Sequence, residues 1–187
     1  YLHYGDNFWP YAGISLAHAF YRLGWIDDTW AMYQWAMQHQ TAPNLYSWPE
    51  AVHRDRPSQA NGDMPNSWMS AEMILLTRDV LLHEDGDRLD IGPLFADWLP
   101  PGGTISVGGF PTAFGPESYT LERTADGQTI SLTLSGQSPP GGYQITAPAP
   151  ATIHTIQIDG GAVQAVAGPT AVLPAGSHRA TLILETR

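Results

Sequence analysis

His83-Glu84-Asp85-Gly86-Asp87 divides this chain in two. Before it, apolar residues recur at helical spacing; after it, they fall in short runs that alternate with polar ones. The five residues are themselves a turn cluster, charged and built around a glycine, that ends a helix and leads into a strand. Asp85-Gly86-Asp87 resembles a scrap of a calcium loop, but the rest of the twelve-residue ligand pattern is missing, so it reads as a turn. The expectation is a multidomain α + β protein, with residues 1–88 helical and residues 89–187 a β module.

Charge is also uneven along the chain. Residues 1–100 hold 13 acids against 5 Arg, and residues 101–187 hold 5 against 3, within a formal net charge of −10. That balance excludes nucleic acid as a partner, because phosphate binding needs clustered Lys and Arg. There is no cysteine, hence no disulfide, no thiolate nucleophile and no Cys-based metal site. No apolar run approaches the roughly 18 residues of a membrane span, and no signal peptide pattern is present. No membrane partner is expected. A soluble secreted or periplasmic protein is preferred over a cytoplasmic one. The chain opens on Tyr1-Leu2-His3-Tyr4, aromatic and without Met, which reads as a fragment whose N-terminal part is missing.

In the helical part, Pro10 suits the first turn of a helix carrying Ile14, Leu16, Ala17, Phe20 and Leu23, with Gly24 as its stop. Asp27-Asp28 look like an N-cap and a favourable charge on the dipole of a second helix that runs to about His39. The short link makes an antiparallel αα-hairpin. A third helix runs from about Met64 or Pro65 to Leu82. Its apolar residues point in nearly all directions, so it is expected to be buried on every side, against a missing N-terminal part or another chain.

In the β part, alternating runs at Arg88–Ile91, Thr104–Val107, Ser118–Arg123, Thr129–Leu134, Tyr143–Thr146, His154–Ile158, Ala162–Val166 and Ala180–Glu185 are separated by Gly, Pro and Asp-Gly turns. They predict an antiparallel β-sandwich.

Between the second and third helices lies a long loop with two motifs, Tyr46-Ser47-Trp48-Pro49-Glu50 and Gly62-Asp63-Met64-Pro65-Asn66-Ser67-Trp68. Loops of that length in compact domains are usually functional or disordered, and this aromatic content argues against disorder. Flat indoles stack on sugar rings, while carboxylates and amides bind or cleave around the hydroxyls.

These motifs, with Tyr11-Ala12-Gly13 and His83-Glu84-Asp85-Gly86-Asp87-Arg88-Leu89, resemble the C-terminal end of the six-hairpin glycosidases. The resemblance covers roughly residues 5–125. It implies that residues 1–88 are the end of an (α/α)6-barrel catalytic domain. Residues 89–187, with Trp98-Leu99 and Phe110-Pro111-Thr112-Ala113-Phe114-Gly115, are similar to the β-sandwich that often follows such a toroid. Several relatives have His where Asn66 stands. The implied activity is hydrolysis of glycosidic bonds in an oligo- or polysaccharide, with the other carboxylate expected upstream of Tyr1. The chain on its own is then expected to be inactive.

Glycoside hydrolysis typically needs two carboxyl groups flanking the scissile bond. Glu50, aimed by Pro49 beside an aromatic platform, is the catalytic candidate; the alternative is a loop Glu paired with Arg54 or Arg56. Trp48 and Trp68 are the candidate stacking surfaces, the alternative being core packing. Tyr46, His53, Asp63 and Asn66 are candidates for substrate contact. Asp63 has a competing explanation as the N-cap of the third helix. Glu72, on an apolar helix, would be paired or shifted in pKa, and a structural ion pair is the commoner case. No His-Glu-x-x-His or paired histidine cluster is present, so no metal or cofactor is expected. A non-catalytic carbohydrate-binding module is the alternative from another class. A phosphorylase, epimerase or lyase on the same toroid is a third reading, for which only Arg54 and Arg56, or Tyr46 and His53, are at hand.

Overall fold

The structure is a computed structural model that describes residues 3–42, 44–56, 59–92 and 95–185; Tyr1 and Leu2 lie outside it. The chain divides into two compact units, one ending at Arg78 and the other beginning at Asp79. No helix among the described residues is long and apolar enough to cross a membrane.

The first unit contains β1 (His3–Tyr4), β2 (Asn7–Phe8), α1 (Pro10–Arg22), α2 (Ile26–Gln38), β3 (Ala51–His53), β4 (Ala60–Asn61) and most of α3 (Ser67–Leu81). Pro10 opens α1, where its missing N–H costs nothing. Gly24, at φ +76°, leaves the helix in the left-handed region. Trp25, not an aspartate, occupies the N-cap of α2; Asp27 and Asp28 sit in the first turn, where negative charge complements the dipole. Ile14, Ala17 and Tyr21 of α1 and Thr29, Met32 and Ala36 of α2 are buried at three- and four-residue spacing. The Thr29 hydroxyl reaches back across the pair to the Ala17 carbonyl at 3.3 Å. The four short strands form one antiparallel sheet in the order β1-β2-β3-β4.

The expectation of helical hairpins from an (α/α)6 toroid is overturned. Among the described residues there are three α-helices, of which α1 and α2 form the single hairpin, and the chain is mostly β, in three sheets. The likeness to six-hairpin glycosidases therefore fails at the level of architecture. The helical spacing of α1, α2 and α3 is real; what it does not specify is repetition of the hairpin. The third helix also departs from the expected burial. Met69, Met73, Leu76 and Val80 form one buried stripe at 0–5 % exposure, while Ile74 is 68 % and Leu75 46 % exposed. An apolar side chain is not evidence of a partner by itself, since much of any folded surface is apolar.

The second unit adds β5 (His83–Asp85), β6 (Arg88–Ile91), β7 (Thr104–Thr112), β8 (Gly115–Arg123), β9 (Thr129–Gly136), β10 (Tyr143–Thr146), β11 (Thr152–Ile158), β12 (Val163–Gly168), β13 (Thr170–Leu173) and β14 (Arg179–Glu185). His83-Glu84-Asp85 is the first strand of a hairpin, and Gly86, at φ +64°, starts its two-residue turn. A four-stranded sheet in the order β13-β10-β6-β5 and a six-stranded sheet in the order β12-β11-β14-β9-β8-β7 result. They are sandwich-like, but not purely antiparallel, because β6 and β10 pair in parallel. On β9, Ile130, Leu132 and Leu134 are buried and Ser131, Thr133 and Ser135 exposed, the two-residue period of a half-buried strand.

One acid interrupts the buried face of β8. Glu117 is 2 % exposed, and its cross-strand neighbour on β9 is Gly136. The Tyr143 hydroxyl on β10 donates to Oε2 at 3.4 Å, and Oε1 has no hydrogen-bond partner among the described residues. Burial pushes this carboxyl above its ordinary range, and the Tyr143 hydroxyl offsets only part of that. In such a case the unfolded chain releases its proton first, so the folded state is favoured most at low pH and loses that advantage as pH rises. Glu117→Gln removes the dependence. The stability of the variant relative to the wild type is expected to rise between about pH 4 and about pH 7. Urea midpoints of the two proteins across that range provide the check, and parallel curves would contradict it.

Candidate functional site

The two loop motifs meet because the segments that carry them are laced together. The pairing of β3 with β4 sets Ala51 opposite Asn61 and Val52 opposite Ala60. Just beyond the two strands, the Gly62 backbone stands beside the Glu50 side chain. Glu50 N–H donates to the Asp63 carbonyl at 3.0 Å, and Asn66 N–H donates to the Trp48 carbonyl at 2.7 Å. Asp63 N–H returns a bond to Glu50 Oε2 at 3.3 Å.

Trp48 anchors this assembly from below. It is 3 % exposed, and its indole N–H donates to the Ala36 carbonyl of α2 at 2.7 Å. That carbonyl, in the last turn of the helix, also accepts the His39 N–H at 3.1 Å. Trp48 is thus part of the packing and offers no face for stacking. Trp68, on the first turn of α3, is 63 % exposed. Its ring meets Tyr11 edge to face at 5.4 Å, and Tyr11 stacks on Trp9 at 5.9 Å with 18° between the planes. An exposed indole braced by a second aromatic is a rigid apolar platform.

Asn66 is the cap of α3. Its Oδ1 accepts the Met69 N–H at 2.9 Å, the bond expected of an N-cap to the third helical residue. Asp63 does not cap the helix, so its exposed carboxylate is free of that role. Glu50 pairs with neither Arg54 nor Arg56: Arg54 binds Asp55 and Asp6, and the Arg56 guanidinium lies 3.2 Å from His53 Nε2. Glu72 is only partly buried on α3.

Glu50, Asp63, Pro65, Asn66, Ser67 and Trp68 line an open cleft of about 200 Å³. Two acids, a hydroxyl and an exposed indole therefore face one space, which suits an uncharged ligand with hydroxyls on its edges and an apolar face. Tyr46 and His53 lie outside the lining. Tyr46 is 61 % exposed at φ +51°, and His53 is engaged with Asp55 N–H and Arg56. Sequence reading passes over Ser67 and over Tyr11 as a brace for Trp68; no spacing rule joins positions as far apart as 11 and 68. Among the described residues, no group of three or more His, Asp and Glu side chains is placed to hold a metal ion. No protein-family model and no curated protein sequence matches the chain.

The cap assignment has a direct test. Asn66→Ala is expected to cost about 1 kcal/mol of stability, whereas Asp63→Ala should stay within about 0.5 kcal/mol. Urea denaturation of the two variants measures both, and the reverse order would return the cap to Asp63.

Proposed function

We propose that this protein is a glycoside hydrolase whose cleft, lined by Glu50, Asp63 and Trp68, holds a sugar ring. The observation that carries this reading is the exposed Trp68 face beside a carboxylate whose one side-chain bond among the described residues is to the Asp63 backbone N–H. The indole takes the apolar C–H face of the ring. Asp63 and Ser67 take hydroxyls at its edge. Glu50 keeps Oε1 for the reacting centre, where it acts as one of the two carboxyl groups that glycosidic cleavage requires. Arg54 and Arg56 have other partners, so among the described residues the Glu50 carboxylate is not committed to an ion pair and is open to a ligand.

The small, open cleft favours a second reading, that of a non-catalytic carbohydrate-binding surface. Its volume of about 200 Å³ lies below the usual range for enclosed ligand sites. Room for roughly one ring suits gripping as well as cleaving.

Glu50→Gln in the intact protein separates the two. With 4-nitrophenyl glycosides as probes, hydrolysis predicts a fall in turnover of about a hundredfold or more while binding stays within about twofold. Trp68→Ala should instead weaken binding about fivefold, the equivalent of an aromatic contact near 1 kcal/mol. Turnover unchanged in Glu50→Gln removes that residue from the chemistry. Sugar binding without any turnover in the wild type leaves the binding reading alone.

A further inference from the structure

Gly62 faces Glu50 across the hairpin, and the space its side chain would fill is already taken. A methyl group built on Gly62 would lie 2.7 Å from Glu50 Cβ and 2.9 Å from Cδ, and closer still to Oε2. Separations under 3 Å are not van der Waals contacts, so one group would have to move. The carboxylate thus rests on the bare α-carbon of Gly62 while the next peptide, Asp63 N–H, holds Oε2 at 3.3 Å. Glu50 N–H to the Asp63 carbonyl at 3.0 Å fixes the backbone beneath it.

We infer that Gly62 is a positioning residue for Glu50: its missing side chain is the seat that turns Oε2 onto the Asp63 amide and leaves Oε1 facing the cleft. This role rests on the hydrolase reading given above, but the seat itself exists with or without turnover. Gly62 has a positive φ of +76°, so glycine is also favoured there for backbone reasons. The two demands can be separated, because Gly24 has the same φ of +76°, and a methyl placed on it would meet nothing within 4 Å. Gly24→Ala therefore reports the backbone cost alone.

Two measurements on the intact protein test the seat. First, Gly62→Ala is compared with Gly24→Ala for stability in urea, and again in a Glu50→Gly background that removes the three nearest atoms the methyl would meet. Gly62→Ala should cost more than Gly24→Ala, and the excess should vanish in the Glu50→Gly background. An equal cost in both backgrounds overturns the inference, and failure of only the single variant to fold supports it. Second, the Asp63 amide should exchange faster in Gly62→Ala than in Gly24→Ala, as the displaced carboxylate releases it; an unchanged rate overturns the seat. Where 4-nitrophenyl glycosides are turned over, Gly62→Ala should lower kcat by about a hundredfold with KM within about twofold, as expected for a misplaced group. A raised KM with kcat retained would make Gly62 part of substrate binding and overturn the positioning role. If no glycoside is cleaved, the hydrolase reading fails while the stability and exchange results still decide the seat.

Discussion

The lacing of residues 48–53 to residues 60–66 is the constraint on which the cleft depends. Three backbone and side-chain bonds and one short strand pair hold it: Asn66 to Trp48, Glu50 to Asp63 in both directions, and β3 to β4. Each is worth about 1 kcal/mol net, so none alone is decisive. Their effect is geometric. They bring the residue after a proline, Glu50, alongside Asp63, the second residue of the next motif, and they set the cap of α3, Asn66, three residues further on. Trp48 then fixes the height of the whole assembly through the Ala36 carbonyl. An indole of the kind that stacks on ligands serves here to hold the loop to a helix.

How much of this is legible in the sequence varies with the length of the element. The bounds of α1 follow from Pro10 and Gly24, and the run of α2 from its periodic apolar residues though not its Trp25 cap, because thirteen residues give the helical period room to show. In the second unit the strands Arg88–Ile91 and Tyr143–Thr146 lie where alternation puts them. The two- and three-residue strands β1 to β4 leave no period to read, so the segment between α2 and α3 reads as plain loop. Thr170–Leu173 escapes too, since four residues beside a Gly-Pro step show little alternation. Strand partners are invisible altogether. Nothing in the order of residues says that Tyr143 pairs in parallel with Leu89 while Leu173 flanks it on the other side.

The toroid expectation fails for a related reason. Short motifs around Trp48 and Gly62 record local chemistry, and local chemistry can sit on more than one fold. The helical spacing of α3 reads as burial on all sides, yet Ile74 and Leu75 stand exposed. Within the site the same limit applies. The residue types of a sugar cleft are visible as a set, but their roles are not. Trp48 and Trp68 are both indoles beside acids, and only the tertiary structure sends one into the packing and the other outward.

Glu50 and Glu117 show what local setting does to one side chain. Each lies beside a glycine, Gly62 just beyond a strand pair or Gly136 within one, and in each case a methyl on that glycine would collide with the carboxyl group. The shared geometry has opposite consequences because water reaches one and not the other. Glu117, sealed between two sheets with Oε1 unpartnered among the described residues, is driven toward its neutral form, and its cost falls on stability. Glu50, at the rim of an open cleft, keeps solvent on its exposed side while a backbone N–H fixes the other. A glycine opposite a glutamate is therefore a way of holding a carboxylate still without an arginine.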